Sequence, residues 1–155
     1  MNLQICSRAA LEDMLAHGLP QNAAIISFCD PVGVGRHRHD GYAPIDFRGK
    51  CDRVMQIAAR DLDPEALPKF GLSVEEYLPE ADELADFILQ AVADGCPIIC
   101  QCEYGQSRSA ACAAAILQYF EGRGIDIFAD YRYYPNQLVY HKVYDALKKR
   151  ARIKQ

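Results

Sequence analysis

The chain alternates between short, continuously apolar runs and longer stretches in which apolar residues recur every three or four positions. The continuous runs predict strands that are buried on both faces, at 23–29, 54–59 and 97–101, after a shorter strand at 3–6. The periodic stretches predict helices from Ser7 to Gly18, over 80–94, over 110–120 and onward from Pro135-Asn136. Strands that alternate with helices are typical of an α/β fold, so we expect a central, mostly parallel sheet flanked by helices.

Composition narrows the class of protein. The chain has 155 residues, 50% of them hydrophobic and 25% charged, which fits one globular domain over 1–155. The net charge of −4 disfavours nucleic acid and anionic membrane surfaces as partners. No apolar run approaches the roughly 18 residues that span a bilayer. The N-terminus lacks a signal-peptide pattern, so we expect a cytoplasmic protein.

The seven cysteines are an odd number in a chain too long for a typical disulfide framework. Five of them lie in or beside apolar runs and are predicted to be reduced, buried thiols: Cys6, Cys29, Cys96, Cys100 and Cys112. Cys96, Cys100 and Cys102 are clustered, but their spacing matches no common zinc pattern and one apolar strand is predicted to carry them. No metal site is therefore expected.

The segment after the 97–101 strand carries the candidate chemistry. Ligands of open α/β sheets bind beyond the carboxyl ends of the strands, where loops turn into helices. Here the strand is followed by Cys102-Glu103-Tyr104-Gly105-Gln106-Ser107-Arg108-Ser109 and then by a helix of small residues. Such a loop turns the backbone N–H groups of 103–108 inward, and the helix N-terminus adds its positive end. We therefore predict an anion-binding loop.

The side chains of this loop suit attack on a phosphate monoester. Positive potential is expected to lower the pKa of Cys102 from about 8.5 and so favour a nucleophilic thiolate. Arg108 offers a planar fork for two phosphoryl oxygens. Ser109 places a hydroxyl near the sulfur, where it stabilises the departing thiolate. Together they predict catalysis through a phosphocysteine intermediate.

At these residues the sequence resembles the cysteine-dependent protein tyrosine phosphatases, in particular the small dual-specificity phosphatases. Their signature is a strand, His-Cys-x5-Arg-Ser/Thr and a helix, and the residues in register here are Cys102, Gly105, Arg108 and Ser109. The family's C-terminal Arg…Pro-Asn…Leu stretch is similar to Arg132, Pro135, Asn136 and Leu138. The resemblance covers about 20–148. One departure is Gln101, which stands where the family usually has histidine.

The resemblance implies a dual-specificity phosphatase-like fold with its core at about 20–148. It implies a phosphorylated protein or a small phosphate monoester as substrate, and no cofactor. Glu103 and the ten acidic residues between 61 and 94 disfavour polyanionic substrates. A phosphate-binding module that recognises phosphoproteins without turnover is the alternative, because Gln101 replaces the family's histidine and is expected to lower the catalytic activity. Rhodaneses fit less well, since their active loop is one residue shorter.

The family's general acid is an aspartate on the loop after the preceding strand, and two candidates lie there. Asp61 is preferred over Asp63 because it follows the 54–59 strand directly. The third possibility is that neither residue acts, since carboxylates beside proline are common turn formers. Asp30, after the 23–29 strand, is expected to be an ordinary loop cap, with a place in the lining of the site as the alternative.

Two further segments are charged or metal-like in composition. His37-Arg38-His39-Asp40 lies in a loop rich in Gly and Pro with no third ligand in view, so a solvated basic tip, or a border of the substrate entrance, is expected rather than a metal site. The basic stretch 148–154 suits the C-terminus of a helix, with RNA or lipid docking as the alternative.

Overall fold

The computed structural model describes residues 1–31 and 44–153. Its sheet has four strands in the order β1-β4-β2-β3, and every pairing is parallel. The strands are β1 Leu3–Ser7, β2 Ala24–Cys29, β3 Val54–Ala58 and β4 Ile98–Cys102. The predicted mostly parallel sheet is therefore confirmed. His37-Arg38-His39-Asp40 lies outside the described residues.

Helices flank the sheet, as the periodic stretches predicted. They are α1 Arg8–His17, α2 Ala81–Ala93, α3 Arg108–Glu121, α4 Ile125–Phe128 and α5 Gln137–Ile153. A 3-10 helix, Pro64–Phe70, lies between β3 and α2. The four residues of α4 are too few to show a helical period, so the sequence did not predict that helix. Within the described part of the chain, no helix is both long and apolar enough to cross a membrane.

Both faces of β2 and β4 are covered, and this explains their continuous runs. β3 is the edge strand and leaves Gln56 and Ala58 exposed, so the prediction that 54–59 is buried on both faces is wrong. Along β2, Ile25 packs with Leu11 of α1, whereas Ile26 and Phe28 pack in the larger cluster on the other face. That larger cluster also contains the apolar faces of α2, α3 and α5. Because successive side chains of a strand point to opposite faces, a strand buried on both sides needs apolar residues at every position.

The acidic and basic segments pair with each other across α2 and α5. Lys149 forms an ion pair with Asp82, and Arg150 Nη2 lies 2.6 Å from Asp86 Oδ2. Exposed pairs of this kind contribute about 0.2–1 kcal/mol each. Part of the charge in both segments is therefore accounted for by contact between two helices.

All seven cysteines are free thiols. Cys6, Cys100 and Cys112 are buried as predicted, but Cys29 and Cys96 are only half-buried, so the prediction for those two is wrong. Cys29 is the last residue of β2, where the chain leaves the sheet. Cys96 precedes β4 rather than lying on it, and Arg53 Nη1 approaches its sulfur to 2.8 Å.

Candidate active site

Three strands deliver the candidate residues to one edge of the sheet. Asp30 directly follows β2, Asp61 lies on the loop after β3, and the 103–107 loop follows β4. The parallel register places the last residue of β2, Cys29, opposite Ala58 of β3. Since these strands run in the same direction, their carboxyl ends open onto one site.

The 103–107 loop packs closely against the start of the chain. Gly105 has a φ of 68°, and a Cβ on this residue would lie 2.6 Å from the backbone carbon of Cys6 and the backbone nitrogen of Ser7. The backbone N–H of Arg8 donates to the carbonyl of Glu103 at 3.1 Å. Only glycine fits both the left-handed conformation and this backbone approach, so Gly105 sets the shape of the loop.

The other side of the loop is held by the segment that precedes α5. The backbone N–H of Tyr134 donates to the carbonyl of Gln106 at 2.8 Å, and that of Asn136 donates to the carbonyl of Ser107 at 3.2 Å. These hydrogen bonds join residues about 30 positions apart. The loop is therefore fixed from both sides by backbone contacts.

Cys102 lies at the end of β4 and is 3% exposed. Burial opposes ionisation of its thiol, but hydrogen bonds from the Ser109 hydroxyl and from the backbone N–H groups of Ser109 and Ser107 favour the thiolate, as does the charge of Arg108. The net effect is a lowered pKa for Cys102. The Ser109 Oγ lies 3.1 Å from the Cys102 Sγ, where the sequence placed it. The lowered pKa is the property that a nucleophilic cysteine requires.

Cys6 shows how much these contacts matter. It is buried at the end of β1, and burial followed by the neighbouring Cys102 raises its pKa to about 12. The two thiols lie in adjacent strands, but only Cys102 has hydrogen-bond donors and an arginine aimed at its ionised form. Burial alone therefore does not make the reactive cysteine.

Arg108 begins α3 and is 5% exposed. Its Nη1 donates to Asp30 Oδ1 at 2.8 Å and to the carbonyl of Ala59 at 2.7 Å. Its Nε is buried and has no hydrogen-bond partner among residues 1–31 and 44–153. The expectation that Asp30 is an ordinary loop cap is therefore wrong, because its carboxylate faces the guanidinium. An unpaired buried donor of this kind suits an anionic ligand.

The two acid candidates differ in their contacts with the loop. Asp61 Oδ1 accepts hydrogen bonds from Ser107 Oγ and from Asn136 Nδ2, each at 2.7 Å. Asp63 precedes the 3-10 helix, and its side chain makes no capping hydrogen bond there. Both line a cavity of about 480 Å³ together with Ser107, Tyr134 and Asn136. Of the two aspartates, Asp61 is thus the one bonded to the loop.

Asn136 ties three elements together at this point. Its Nδ2 donates to Asp61 Oδ1 and to the carbonyl of Leu62, and its Oδ1 accepts from the backbone N–H of Val139 in the first turn of α5. Together with its backbone bond to Ser107, these contacts join the acid loop, the 103–107 loop and α5. The sequence signalled Asn136 only through the resemblance and gave no indication of its link to Asp61.

Gln101, the departure from the family pattern, is buried between strands. Its Oε1 accepts a hydrogen bond from the hydroxyl of Ser27 on β2, in line with the pairing of these two residues. The side chain next to Cys102 is therefore fixed to the neighbouring strand by a neutral hydrogen bond.

Comparison with known proteins identifies the class of fold. No protein-family model matches the sequence, and no curated protein sequence matches it. Among solved structures, the fold is similar to human tyrosine phosphatase-like serine/threonine/tyrosine-interacting protein, with a TM-score of 0.57 and 16% identity over 99% of this chain and 93% of that one. It is also similar to human DUSP28, with a TM-score of 0.56 and 18% identity over 99% and 96% of the two chains.

A third structure, DUSP15, gives a TM-score of 0.58 and 17% identity over 99% of this chain and 90% of that one. All three matches span nearly the whole chain. The fold is thus similar to that of tyrosine phosphatases. Within that class it is the fold of the dual-specificity phosphatases, as the sequence predicted.

Proposed function

We propose that the protein hydrolyses phosphate monoesters through a phosphocysteine intermediate, in the manner of the dual-specificity phosphatases. Its substrate is a phosphorylated protein or a small phosphate monoester. The observation that carries this proposal is the lowered pKa of Cys102 in a loop that also holds the buried Arg108. The structural neighbours named above support it, since two of them carry the DUSP name and the third is described as tyrosine phosphatase-like.

In the first step the Cys102 thiolate attacks phosphorus, and the bond from phosphorus to the ester oxygen breaks. Asp61 gives its proton to that oxygen, so the leaving group departs as an alcohol or phenol. Arg108 and the backbone N–H groups of 103–108 hold the equatorial oxygens as charge builds on them. The hydrogen bonds that Asp61 Oδ1 accepts leave Oδ2 as the oxygen that carries the proton.

In the second step water attacks the phosphocysteine. The Asp61 carboxylate takes a proton from the water, the phosphorus–sulfur bond breaks, and inorganic phosphate leaves. The Ser109 hydroxyl donates to the departing sulfur, which regenerates the thiolate. The cycle uses only side chains and backbone N–H groups of this chain and one water, and we propose no cofactor.

The deciding experiment measures hydrolysis of p-nitrophenyl phosphate alongside alkylation by iodoacetate at pH 6. We expect Cys102 to be alkylated selectively, phosphate to protect it, and Cys102→Ser to abolish turnover while oxyanion binding persists. Cys51→Ser is the matched control, because Cys51 is a half-buried thiol before β3, at the opposite ends of the strands. Turnover by Cys102→Ser within tenfold of the wild type contradicts the nucleophile assignment.

A phosphate-binding module without turnover is the second candidate, and Gln101 is the observation that favours it. A neutral side chain bonded to Ser27 replaces the ionisable histidine that the family usually has next to the nucleophile. Under this alternative the wild type binds phosphate and is alkylated at Cys102, yet it hydrolyses none of a panel of phosphotyrosine, phosphothreonine and inositol phosphate substrates. Hydrolysis of any of them supports the enzyme.

A further inference from the structure

Asp30 contacts Arg108 of the proposed phosphate site, which was the alternative to its expected role as a loop cap. We propose that Asp30 is a positioning residue that orients the Arg108 guanidinium toward the phosphoryl group. The proposal rests on the proposed function only in that the ligand is a phosphoryl group. The pairing with Arg108, at 2.8 Å, is the contact that carries it.

The geometry of the guanidinium gives the first argument. Nη1 carries two N–H donors, and its two acceptors are Asp30 Oδ1 and the carbonyl of Ala59. A planar group held at one nitrogen by two acceptors cannot turn freely about the Cγ–Cδ and Cδ–Nε bonds of its side chain. The edge formed by Nε and Nη2 is then the one left for bidentate contact with a phosphate. The buried Nε, which lacks a partner among the described residues, belongs to that edge.

The two acceptors are themselves fixed relative to each other. Asp30 follows the last residue of β2, and the backbone N–H of Ala59 donates to the carbonyl of Cys29 at 2.9 Å. This hydrogen bond continues the β2–β3 pairing by one residue beyond the strand ends. Asp30 and Ala59 therefore approach Arg108 from a rigid frame, which is what precise orientation of a buried side chain requires.

The negative charge of Asp30 allows an orienting role to be distinguished from a purely electrostatic effect on the substrate. A carboxylate near the phosphate repels a dianionic substrate, so electrostatics alone predicts that Asp30→Asn strengthens substrate binding. Orientation acts mainly when the equatorial oxygens move into the transition state, so its loss lowers kcat. The proposal therefore predicts a split: kcat falls while KM stays constant or decreases.

The kinetic test compares Asp30→Ala and Asp30→Asn with the wild type on two substrates, p-nitrophenyl phosphate and difluoromethylumbelliferyl phosphate. For Asp30→Ala we expect kcat to fall about 10- to 10²-fold, by the same factor on both substrates, because Arg108 acts on the phosphoryl group and not on the leaving group. Asn keeps an acceptor at Oδ1 and should recover part of the loss. A kcat for Asp30→Ala within twofold of the wild type overturns the proposal.

Asp126→Asn is the matched control. It breaks a carboxylate–arginine pair with Arg123 at 2.7 Å, but at the surface and beyond the far end of α3. We expect this control to keep wild-type kcat. An equal loss in the control overturns the proposal, because the effect of Asp30 would then be a general loss of an ion pair. The melting temperature of each variant identifies one that does not fold, and Asp30→Asn then carries the test.

A spectroscopic test separates this proposal from the proposed function. In the Cys102→Ser background, the Nε–H resonance of Arg108 in ¹⁵N-labelled protein should move on addition of inorganic phosphate. Adding Asp30→Ala should broaden or shift that resonance before phosphate is added and weaken its response. An unchanged resonance and an unchanged response overturn the proposal. If the wild type shows the phosphate response but hydrolyses no substrate, the proposed function fails while the role of Asp30 in orientation stands.

Discussion

Two cysteines on β4, two residues apart, have opposite acid–base properties. Cys100 and Cys102 are both buried, and alternation along the strand points them to the same face. A hydrogen bond with Cys112, together with burial, raises the pKa of Cys100 well above its usual range. The pKa of Cys102 is lowered because Ser109, backbone N–H groups and Arg108 outweigh its burial. Whether a cysteine of β4 ionises readily thus depends on hydrogen-bond donors and a positive charge that lie outside the strand.

The contribution of Ser109 to the lowered pKa of Cys102 can be tested by substitution. Its hydroxyl stabilises the ionised sulfur, so Ser109→Ala should raise the pKa of Cys102. Since iodoacetate reacts with the thiolate, the alkylation rate at a fixed pH below that pKa should fall, and the rate-against-pH curve should move to higher pH. The measurement is a pH series of alkylation rates. A curve for Ser109→Ala that coincides with that of the wild type contradicts the contribution of the hydroxyl.

Arg108→Lys tests whether the guanidinium of Arg108 holds the phosphoryl oxygens. Lysine keeps the positive charge but offers no planar fork, and it cannot replace the paired contacts to two phosphoryl oxygens. We expect kcat for p-nitrophenyl phosphate to fall at least about 10²-fold, or roughly 3 kcal/mol in the activation free energy. Arg123→Lys at the surface is the control and should leave kcat unchanged. Near-normal turnover by Arg108→Lys means that Arg108 does not hold two phosphoryl oxygens in the transition state.

At the scale of elements, the site is an assembly of strand ends and helix starts that the 103–107 loop connects. β2 contributes Asp30, the loop after β3 contributes Asp61, and the segment before α5 contributes Asn136. Asn136 and Ser107 both donate to Asp61 Oδ1, so the acid candidate is held by a neighbouring loop and a helix start. The position of the acid candidate thus depends on the packing of α5 as well as on β3.

Asp61→Asn and Asp63→Asn distinguish the two acid candidates. If Asp61 protonates the leaving group, Asp61→Asn should slow phosphotyrosine hydrolysis by about 10²–10⁴-fold. The loss should be much smaller for a difluoromethylumbelliferyl ester, whose phenoxide needs little protonation. Asp63→Asn should be mild and independent of the leaving group, because Asp63 lies at the start of the 3-10 helix. A leaving-group-dependent loss in Asp63→Asn instead reverses the assignment, and a loss in neither variant favours the phosphate-binding module.

At the scale of the whole molecule, the sequence predicted what depends on local pattern. The run at 23–29 is apolar at every position except Ser27 because β2 is buried on both faces, and Gly18 ends α1 as expected. The pairing of Asp30 with Arg108 joins residues 78 positions apart, and no local pattern encodes it. The half-buried Cys29 and Cys96 likewise depend on where the strands stop against the rest of the fold.

The contact between β1 and the 103–107 loop joins residues about a hundred positions apart in the sequence, and a substitution of Gly105 tests that contact. A Cβ on Gly105 would lie 2.6 Å from the backbone of Cys6 and Ser7, where no flexible side chain can yield. Gly122 is the matched control, because its φ of 67° is nearly that of Gly105 at 68°, yet nothing lies within 4 Å of the added Cβ. Gly122→Ala should therefore cost about 1–2 kcal/mol in the free energy of unfolding, from backbone strain alone.

Gly105→Ala should lose a further 1–3 kcal/mol or so, because the loop or β1 must move to admit the methyl group. It should also weaken phosphate binding and slow the alkylation of Cys102 at pH 6, whereas Gly122→Ala leaves both unchanged. Denaturant unfolding of the two variants gives the energies, and the alkylation rate reports the loop. Equal unfolding energies and equal alkylation rates in the two variants would mean that β1 does not constrain the loop. A difference confined to Gly105→Ala shows that the N-terminal strand maintains the shape of the phosphate site.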